Sequence, residues 1–295
     1  MTPARAWILA SRPATLPAAA VPVLVGVGAA IGEGATFKPL IFAVTLICAL
    51  FIQIGTNFAN DYSDFHRGAD HEGRLGPTRV TQSGLISQEG VRRGIFVAFG
   101  IALILGLYLA WVGGWPIIII GVLSILSGLA YTGGPFPFGY HGLGDVFVFV
   151  FFGLVAVTGT AYLQSGTWSS FALLLSIPIG LLVTNILVVN NLRDRPTDLA
   201  AGKRTLAVRI GDRATRMQYA MFVALAYITP LSRAIGASFH PWLLLPWITI
   251  PFAIYLVTKV MYLNGRELNP ILKKSGQLLL AYGVLLAIGA ALSAQ

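Results

Sequence analysis

Long apolar runs dominate this sequence and decide its solvent. Nine stretches, at roughly residues 15–33, 38–60, 93–113, 115–132, 145–164, 168–190, 214–232, 241–262 and 276–293, leave little chain for anything else. Each is close to the ~20 residues that a helix needs to cross a bilayer. Only 11% of the residues are charged, against roughly 25% in soluble domains. Backbone N–H and C=O groups in hydrocarbon must be paired within the segment, so such runs fold as helices. The expected fold is an all-α integral membrane protein, a bundle of about nine transmembrane helices forming one domain over residues 1–295, with loops capping its cytoplasmic end.

The formal charge of +9 would ordinarily raise acidic partners such as nucleic acid. Here it reports topology, because 18 of the 20 lysines and arginines fall in alternate loops and only Lys38 and Arg233 lie on the other side. The positive-inside rule then places the N-terminus and the acidic loops in the cytoplasm of a cell whose inner (plasma) membrane holds the bundle. Nucleic acid is excluded as a partner, and the lipid bilayer is expected as one. Residues 1–11 carry no apolar core of a signal peptide, so the first span is expected to direct insertion. Residues 1–14 read as an interfacial helix anchored by Trp7 and Arg12, followed by a bend at Pro13 and Pro17. Cys48 is the single cysteine and is expected to serve packing.

Against this background, acidic residues at the ends of two apolar runs stand out. In the second run Gln53, Asn57, Asn60, Asp61 and Asp64 recur at spacings of three and four, which stacks them on one helical face. In the sixth, Asn190, Asp194 and Asp198 make an i, i+4, i+8 row if the helix continues. Pro196 disfavours helix at Arg195 and predicts a break there, leaving only Asn190 and Asp194 firmly on one face. The two clusters lie four segments apart, which hints at internal duplication of a four-helix unit.

Between the runs, residues 65–91 are too long and polar for a minimal turn and read as a functional loop carrying short helices. Residues 131–145 (YTGGPFPFGYHGLGD) have no Lys or Arg, and their glycines and prolines imply a specific backbone path. Tyr131 and His141 are its polar handles, His141 with a structural role. Tyr219, Tyr227, Tyr255 and Tyr282 in the last three runs are assigned to packing.

Carboxylates next to hydrocarbon are costly and mark a site. Brought together unpaired, they would repel one another and take up protons. Magnesium relieves that repulsion, since it favours carboxylate oxygens and bridges to substrate phosphates. Arg67, Arg74 and Arg79 in the first loop and Lys203 and Arg204 in the second are placed to grip diphosphate oxygens. A magnesium-binding mouth over an apolar bundle fits a substrate with a diphosphate head and a hydrocarbon tail, as in isoprenoid diphosphates. Ionisation of an allylic C–O bond would then be helped by charge neutralisation on the leaving group. The resulting cation needs a dry, electron-rich wall, which Tyr131 and Tyr62 can supply.

The segments NDYSDFHRGAD (60–70) and NNLRDRPTDLAAGKRTLAV (190–208) resemble the two aspartate motifs of the UbiA-like intramembrane aromatic prenyltransferases. More narrowly, ASRPATLPAAAVPVLVG (10–26), RVTQSGLIS (79–87) and YTGGPFPFGYHGLGDVFVFVFFG (131–153) are similar to the 1,4-dihydroxy-2-naphthoate polyprenyltransferases of menaquinone synthesis. The resemblance implies a nine-helix bundle that joins a polyprenyl diphosphate to an aromatic acceptor, the naphthoate, with release of diphosphate and carbon dioxide. It implies Mg2+, as two ions bridging the diphosphate, held by Asp64 and Asp70 from the first motif and Asp194 and Asp198 from the second. Asn60, Asp61 and Asn190 support them, Asp61 as a further ligand and Asn60 with Asp64, Asp194 and Tyr131 as catalytic groups. Asn57 lies beside the substrate, and Arg12 matches an N-terminal arginine that reaches the acceptor's carboxylate. One departure is visible: the wider pattern is Asp-x-x-x-Asp, yet the residue four after Asp64 is Gly68 and the acid comes at Asp70.

Two rivals remain at the level of sequence. One keeps the chemistry and changes the acceptor, to 4-hydroxybenzoate, homogentisate, haem or a chlorophyll precursor, or makes the reaction a phytylation in phylloquinone synthesis. The other is a secondary transporter, which would need polar groups at the bilayer midplane. Ten of the eleven acids cluster on the cytoplasmic side, with Glu33 outside, which disfavours transport.

Overall fold

The computed structural model describes residues 2–68, 75–234 and 240–293, and among these no strand occurs. The chain opens with α1 (Pro3–Ser11), capped by Thr2, and a single 3-10 turn leads into α2 (Pro17–Gly32). The axes of these two pieces meet at 52°, so the bend expected from Pro13 and Pro17 is present. Arg12 sits in the corner with φ 51°, and it is the one non-glycine residue with positive φ among those described.

The long α3 (Pro39–His66) is followed by α4 (Gln88–Gly113) and α5 (Trp115–Ala130), a hairpin turned at Gly114 with φ 73°. A 3-10 turn at Phe138–His141 precedes α6 (Gly144–Val148), which runs through a π-helical stretch at Phe149–Val155 into α7 (Ala156–Ser165). Then come α8 (Ser170–Ala200), the short α9 (Leu206–Ile210), α10 (Asp212–Ile228) and α11 (Leu231–Ala234). A 3-10 segment leads into α12 (Ile250–Tyr262), and α13 (Leu268–Ala291) closes the bundle.

Six of these helical units are long and apolar enough to cross a membrane, or seven if the bent α1–α2 pair counts as one span. The expected spans at 115–132 and 214–232 are helical but short, with α5 at 16 residues and α10 at 17. α10 also opens with Asp212, Arg213 and Arg216, which dilutes its hydropathy.

The helices α2, α8, α10 and α13 share one buried cluster, in which Val21, Leu175, Ile179, Tyr219, Leu279 and Tyr282 are almost inaccessible. Lipid offers no hydrophobic gain for helix association, so small residues that allow close approach carry the packing. A Cβ on Gly26 would stand 2.5 Å from the Val157 carbonyl of α7, and one on Gly28 would run into the Ala287 backbone of α13. α4 and α5 instead turn Phe96, Ile104, Leu107 and Ile118 outward.

Most of the expected packing roles hold. The Tyr219 hydroxyl pairs with Ser275 at 2.9 Å, Tyr282 donates to the Ala226 carbonyl at 2.6 Å, and Tyr227 meets Thr249. Tyr255 differs: it is exposed and accepts a hydrogen bond from Lys274 at 2.9 Å. Cys48 is buried and donates to the Ala102 carbonyl. His141 stacks on Phe136 and contacts the Pro137 carbonyl within its own loop, as a structural residue would.

The break expected at Pro196 is absent, and α8 runs unbroken to Ala200 with Pro196 inside it. Pro196 forfeits one bond, the one an N–H there would donate to the Leu192 carbonyl, and the helix continues around it. Asp198 therefore stays in register with Asn190 and Asp194.

Candidate active site

The polar face of α3 is real, and all five of its residues are buried: Gln53, Asn57, Asn60, Asp61 and Asp64. They divide among three neighbours. Gln53 donates to the Thr15 hydroxyl at 3.3 Å, and Asn57 donates to the Ser11 carbonyl at 3.0 Å and to Thr15 at 3.4 Å. The Arg12 guanidinium returns a bond to the Asn57 carbonyl at 3.4 Å. The upper part of the face thus pins the α1–α2 corner to α3 and holds Arg12 over the site.

Asp61 faces a second neighbour. Its two oxygens accept the backbone N–H groups of Val80 and Thr81, each at 3.2 Å, so it anchors the loop before α4. Of the expected first-motif ligands, Asp61 gives one lone pair of each oxygen to the loop, and Asp70 lies outside the described residues, as does Arg74 among the expected diphosphate contacts.

Asn60 and Asp64 face the third neighbour, a cavity. Asn60 accepts from Thr132 at 2.8 Å. Asp64 accepts from the Tyr140 hydroxyl at 2.9 Å through Oδ1 and from Arg79 at 3.1 Å through Oδ2, with both Asp64 and Arg79 buried.

On α8 the second acidic row is organised by Arg193, which is 1% exposed. Its guanidinium clamps both oxygens of Asp194 and donates to Asn190 at 2.8 Å and to Asn269 of α13 at 2.9 Å. Asn269 in turn donates to the Leu75 carbonyl, which fastens the first loop to the far side of the bundle. Asp198 pairs with Lys203 at 3.9 Å.

One tyrosine links the two rows. Tyr140 bonds Asp64, and its ring lies 5.0 Å from the Lys203 ammonium and 5.5 Å from the Arg67 guanidinium. A cation at that distance is attracted by the ring face. The backbone of Arg204 donates to the Tyr140 carbonyl at 3.0 Å, but the Arg204 side chain is exposed and does not line the cavity. Arg67 is occupied by the carbonyls of Thr132 and Gly134 and thus holds the 131–145 loop over α3.

The cavity itself encloses about 860 Å³ and is where the two motifs meet. Gln53, Asn57, Asn60 and Asp64 line it from α3 and Asn190 and Asn191 from α8, Arg12, Arg79 and Lys203 supply positive charge, and Asp194 and Asp198 are not among its lining residues. Tyr131 and Thr56 mark its inner limit, beyond which Val148, Phe152, Val183 and Ile186 give an apolar wall.

The oxygen donors present suit a hard cation. Among the described residues no three His, Cys, Asp or Glu groups come close enough to enclose an ion alone. Magnesium does not require that, since it commonly takes one or two carboxylates and completes its shell with water and phosphate. An ionised carboxylate offers about four lone-pair sites, so Asp64 keeps capacity beyond its Tyr140 and Arg79 bonds. Asp64 with the amide oxygens of Asn60 and Asn190 gives the cavity a donor set that fits a Mg2+-diphosphate group.

Sequence reasoning missed Tyr140 and Arg193. Tyr140 sits in a loop without charge, and Arg193 reads as one of seven basic residues that report topology. The signal for Arg193 was its place in a helix, three residues after Asn190 and beside Asp194.

The sequence pattern of the UbiA prenyltransferase family matches residues 19–280. A 1,4-dihydroxy-2-naphthoate octaprenyltransferase of Mycobacterium tuberculosis is 38% identical over 284 residues, covering 95% of this chain and 95% of that one. One of the same name from Escherichia coli is 37% identical over 273 residues, covering 90% and 87%. Among solved structures, a UbiA homolog from Archaeoglobus fulgidus bound to GPP and Mg2+ superposes with a TM-score of 0.63 over 95% of this chain and 99% of that one, at 14% identity. At that identity the likeness concerns the fold.

Proposed function

The chain belongs to the UbiA prenyltransferase family, and on that premise we propose that it transfers a polyprenyl group from its diphosphate to 1,4-dihydroxy-2-naphthoate. The observation that carries this reading is the single cavity in which Asn60 and Asp64 of α3 face Asn190 of α8 under Arg12, Arg79 and Lys203, with an apolar wall behind. A diphosphate head belongs at the polar end and a hydrocarbon tail at the other.

Mg2+, when bound by Asp64 with Asp194 and Asp198, would neutralise charge developing on the leaving diphosphate. Arg79 and Lys203, each paired with a carboxylate, have diphosphate oxygens as alternative partners. The allylic C–O bond breaks with its electron pair leaving on the diphosphate. Tyr131, at the junction of polar and apolar lining, presents its ring to the allylic cation, and the apolar wall keeps water away. A ring carbon of the dihydroxynaphthoate supplies the pair for the new C–C bond, and loss of carbon dioxide returns a pair to the ring. Arg12, held at the corner by Asn57, is placed to take the acceptor's carboxylate, as a guanidinium does in bidentate fashion.

The same reading carries one domain of nine spans in the inner membrane, with the site on the cytoplasmic side. The test is product analysis by mass spectrometry of the purified protein with octaprenyl diphosphate and Mg2+, offered the naphthoate or 4-hydroxybenzoate. Demethylmenaquinol from the naphthoate alone supports the proposal, and prenylated 4-hydroxybenzoate as the sole product would overturn the choice of acceptor.

A further inference from the structure

The mouth is the first of three cavities in series. Thr56, Tyr131, Val148 and Phe152 line both it and a second, apolar cavity of about 670 Å³. Ala49, Ile52, Ser124, Phe151 and Ala156 line both that one and a third of about 630 Å³. The third reaches Thr45 on α3, 19 residues from Asp64, which is about 28 Å along a helix axis and close to the ~30 Å of a hydrocarbon core. Leu109, Ile117 and Leu163, all buried, also line it. There α4 turns into α5 so tightly that a Cβ on Gly113 would meet Ile117 at 2.5 Å.

Two glycines in this third cavity have no packing reason to be glycine. Gly106 of α4 and Gly121 of α5 lie mid-helix, where glycine costs about 1 kcal/mol relative to alanine. A Cβ on either would find no atom within 4 Å, unlike Gly26 or Gly153, whose Cβ would strike a neighbouring backbone. What they preserve is empty space along the third, apolar cavity.

We propose that Gly106 and Gly121 set the length of isoprenoid tail this enzyme accepts, by keeping room for the distal units between α4, α5 and α7. This rests on the prenyl-diphosphate reading above and adds to it which residues measure the tail. A longer side chain at either position shortens the path from its far end, so long donors are excluded while short ones, seated near the mouth, are untouched.

The experiment compares wild type with Gly106→Leu and Gly121→Leu in nanodiscs, given geranyl, geranylgeranyl or octaprenyl diphosphate. Both transfer and the rise in melting temperature on donor binding are read, so a wrong acceptor does not obscure tail length. Gly100→Leu on α4 is the control, since its Cβ also meets no atom within 4 Å and Gly100 lines none of these cavities. In the two cavity variants octaprenyl transfer should fall about tenfold or more, the scale of overpacking a filled site, with geranyl transfer within about twofold of wild type. The control should keep the wild-type ratio. If a leucine variant fails to fold, Gly121→Ala, which adds one methyl to open space, should give a smaller shift in the same direction. An unchanged length profile in folded cavity variants would overturn the proposal and mean that the tail leaves sideways into lipid. Failure of wild type to bind or turn over any donor would instead overturn the prenyl-diphosphate reading, and this one with it.

Discussion

Removing the Arg193 guanidinium tests how the second acidic row is held. Arg193→Met keeps an unbranched side chain of similar length while deleting four hydrogen bonds, two to Asp194 and one each to Asn190 and Asn269. The pair is buried, with side-chain exposures of 1% and 9%, and breaking one partner of a buried pair costs about 3–5 kcal/mol. At about 2–4 °C per kcal/mol, the scaling for domains of 150–250 residues, the melting temperature should fall by roughly 6–20 °C. With the guanidinium gone from both Asp194 oxygens, Mg2+ with inorganic diphosphate should recover part of the loss, about 2.7 kcal/mol at a hundred times the dissociation constant. Wild type should gain less, since its metal must compete with the guanidinium. Thermal unfolding in detergent, with and without Mg2+ and diphosphate, measures both. A variant as stable as wild type, or equal gains in the two proteins, would refute the assignment of Arg193 as the resident counter-ion of Asp194.

Two further outcomes follow from the same geometry. Tyr140→Phe removes a hydrogen bond to a charged group, worth about 1.5–3 kcal/mol, so kcat/KM for the donor should drop roughly 10- to 100-fold while circular dichroism stays unchanged. Asp61→Ala strips the two N–H groups of Val80 and Thr81 of their acceptor, so limited proteolysis should cut the loop before α4 faster than in wild type.

Periodicity was enough to find the buried face of α3, because spacings of three and four fix which residues share a stripe. It could not divide that stripe among neighbours. Gln53 and Asn57 bond the α1–α2 corner, Asp61 a loop, and Asn60 and Asp64 the 131–145 loop, while all but Asp61 also line the cavity, and each partner comes from a part of the chain that local spacing does not see. Arg193 was hidden for a related reason, since a basic residue in a charged stretch has topology as its ordinary explanation and reveals a structural role only when α13 is known to lie beside it. The helix through Pro196 shows the converse: local rules predicted a break, and α8 continues through the proline at the loss of one backbone bond. The spans were legible as apolar runs, but α5 stops at Ala130 and α10 at Ile228, two residues before Pro230, so both are shorter than their runs.

The claim on which the account depends is that α3 and α8 hold one diphosphate between them through metal. Manganese in place of magnesium, with phosphorus hyperfine coupling read by electron paramagnetic resonance in the presence of a non-hydrolysable polyprenyl diphosphate analogue, reports that arrangement directly. The coupling should appear in wild type and be lost or strongly reduced in both Asp64→Asn and Asp194→Asn. Full coupling in either single variant would contradict a site shared between the two helices.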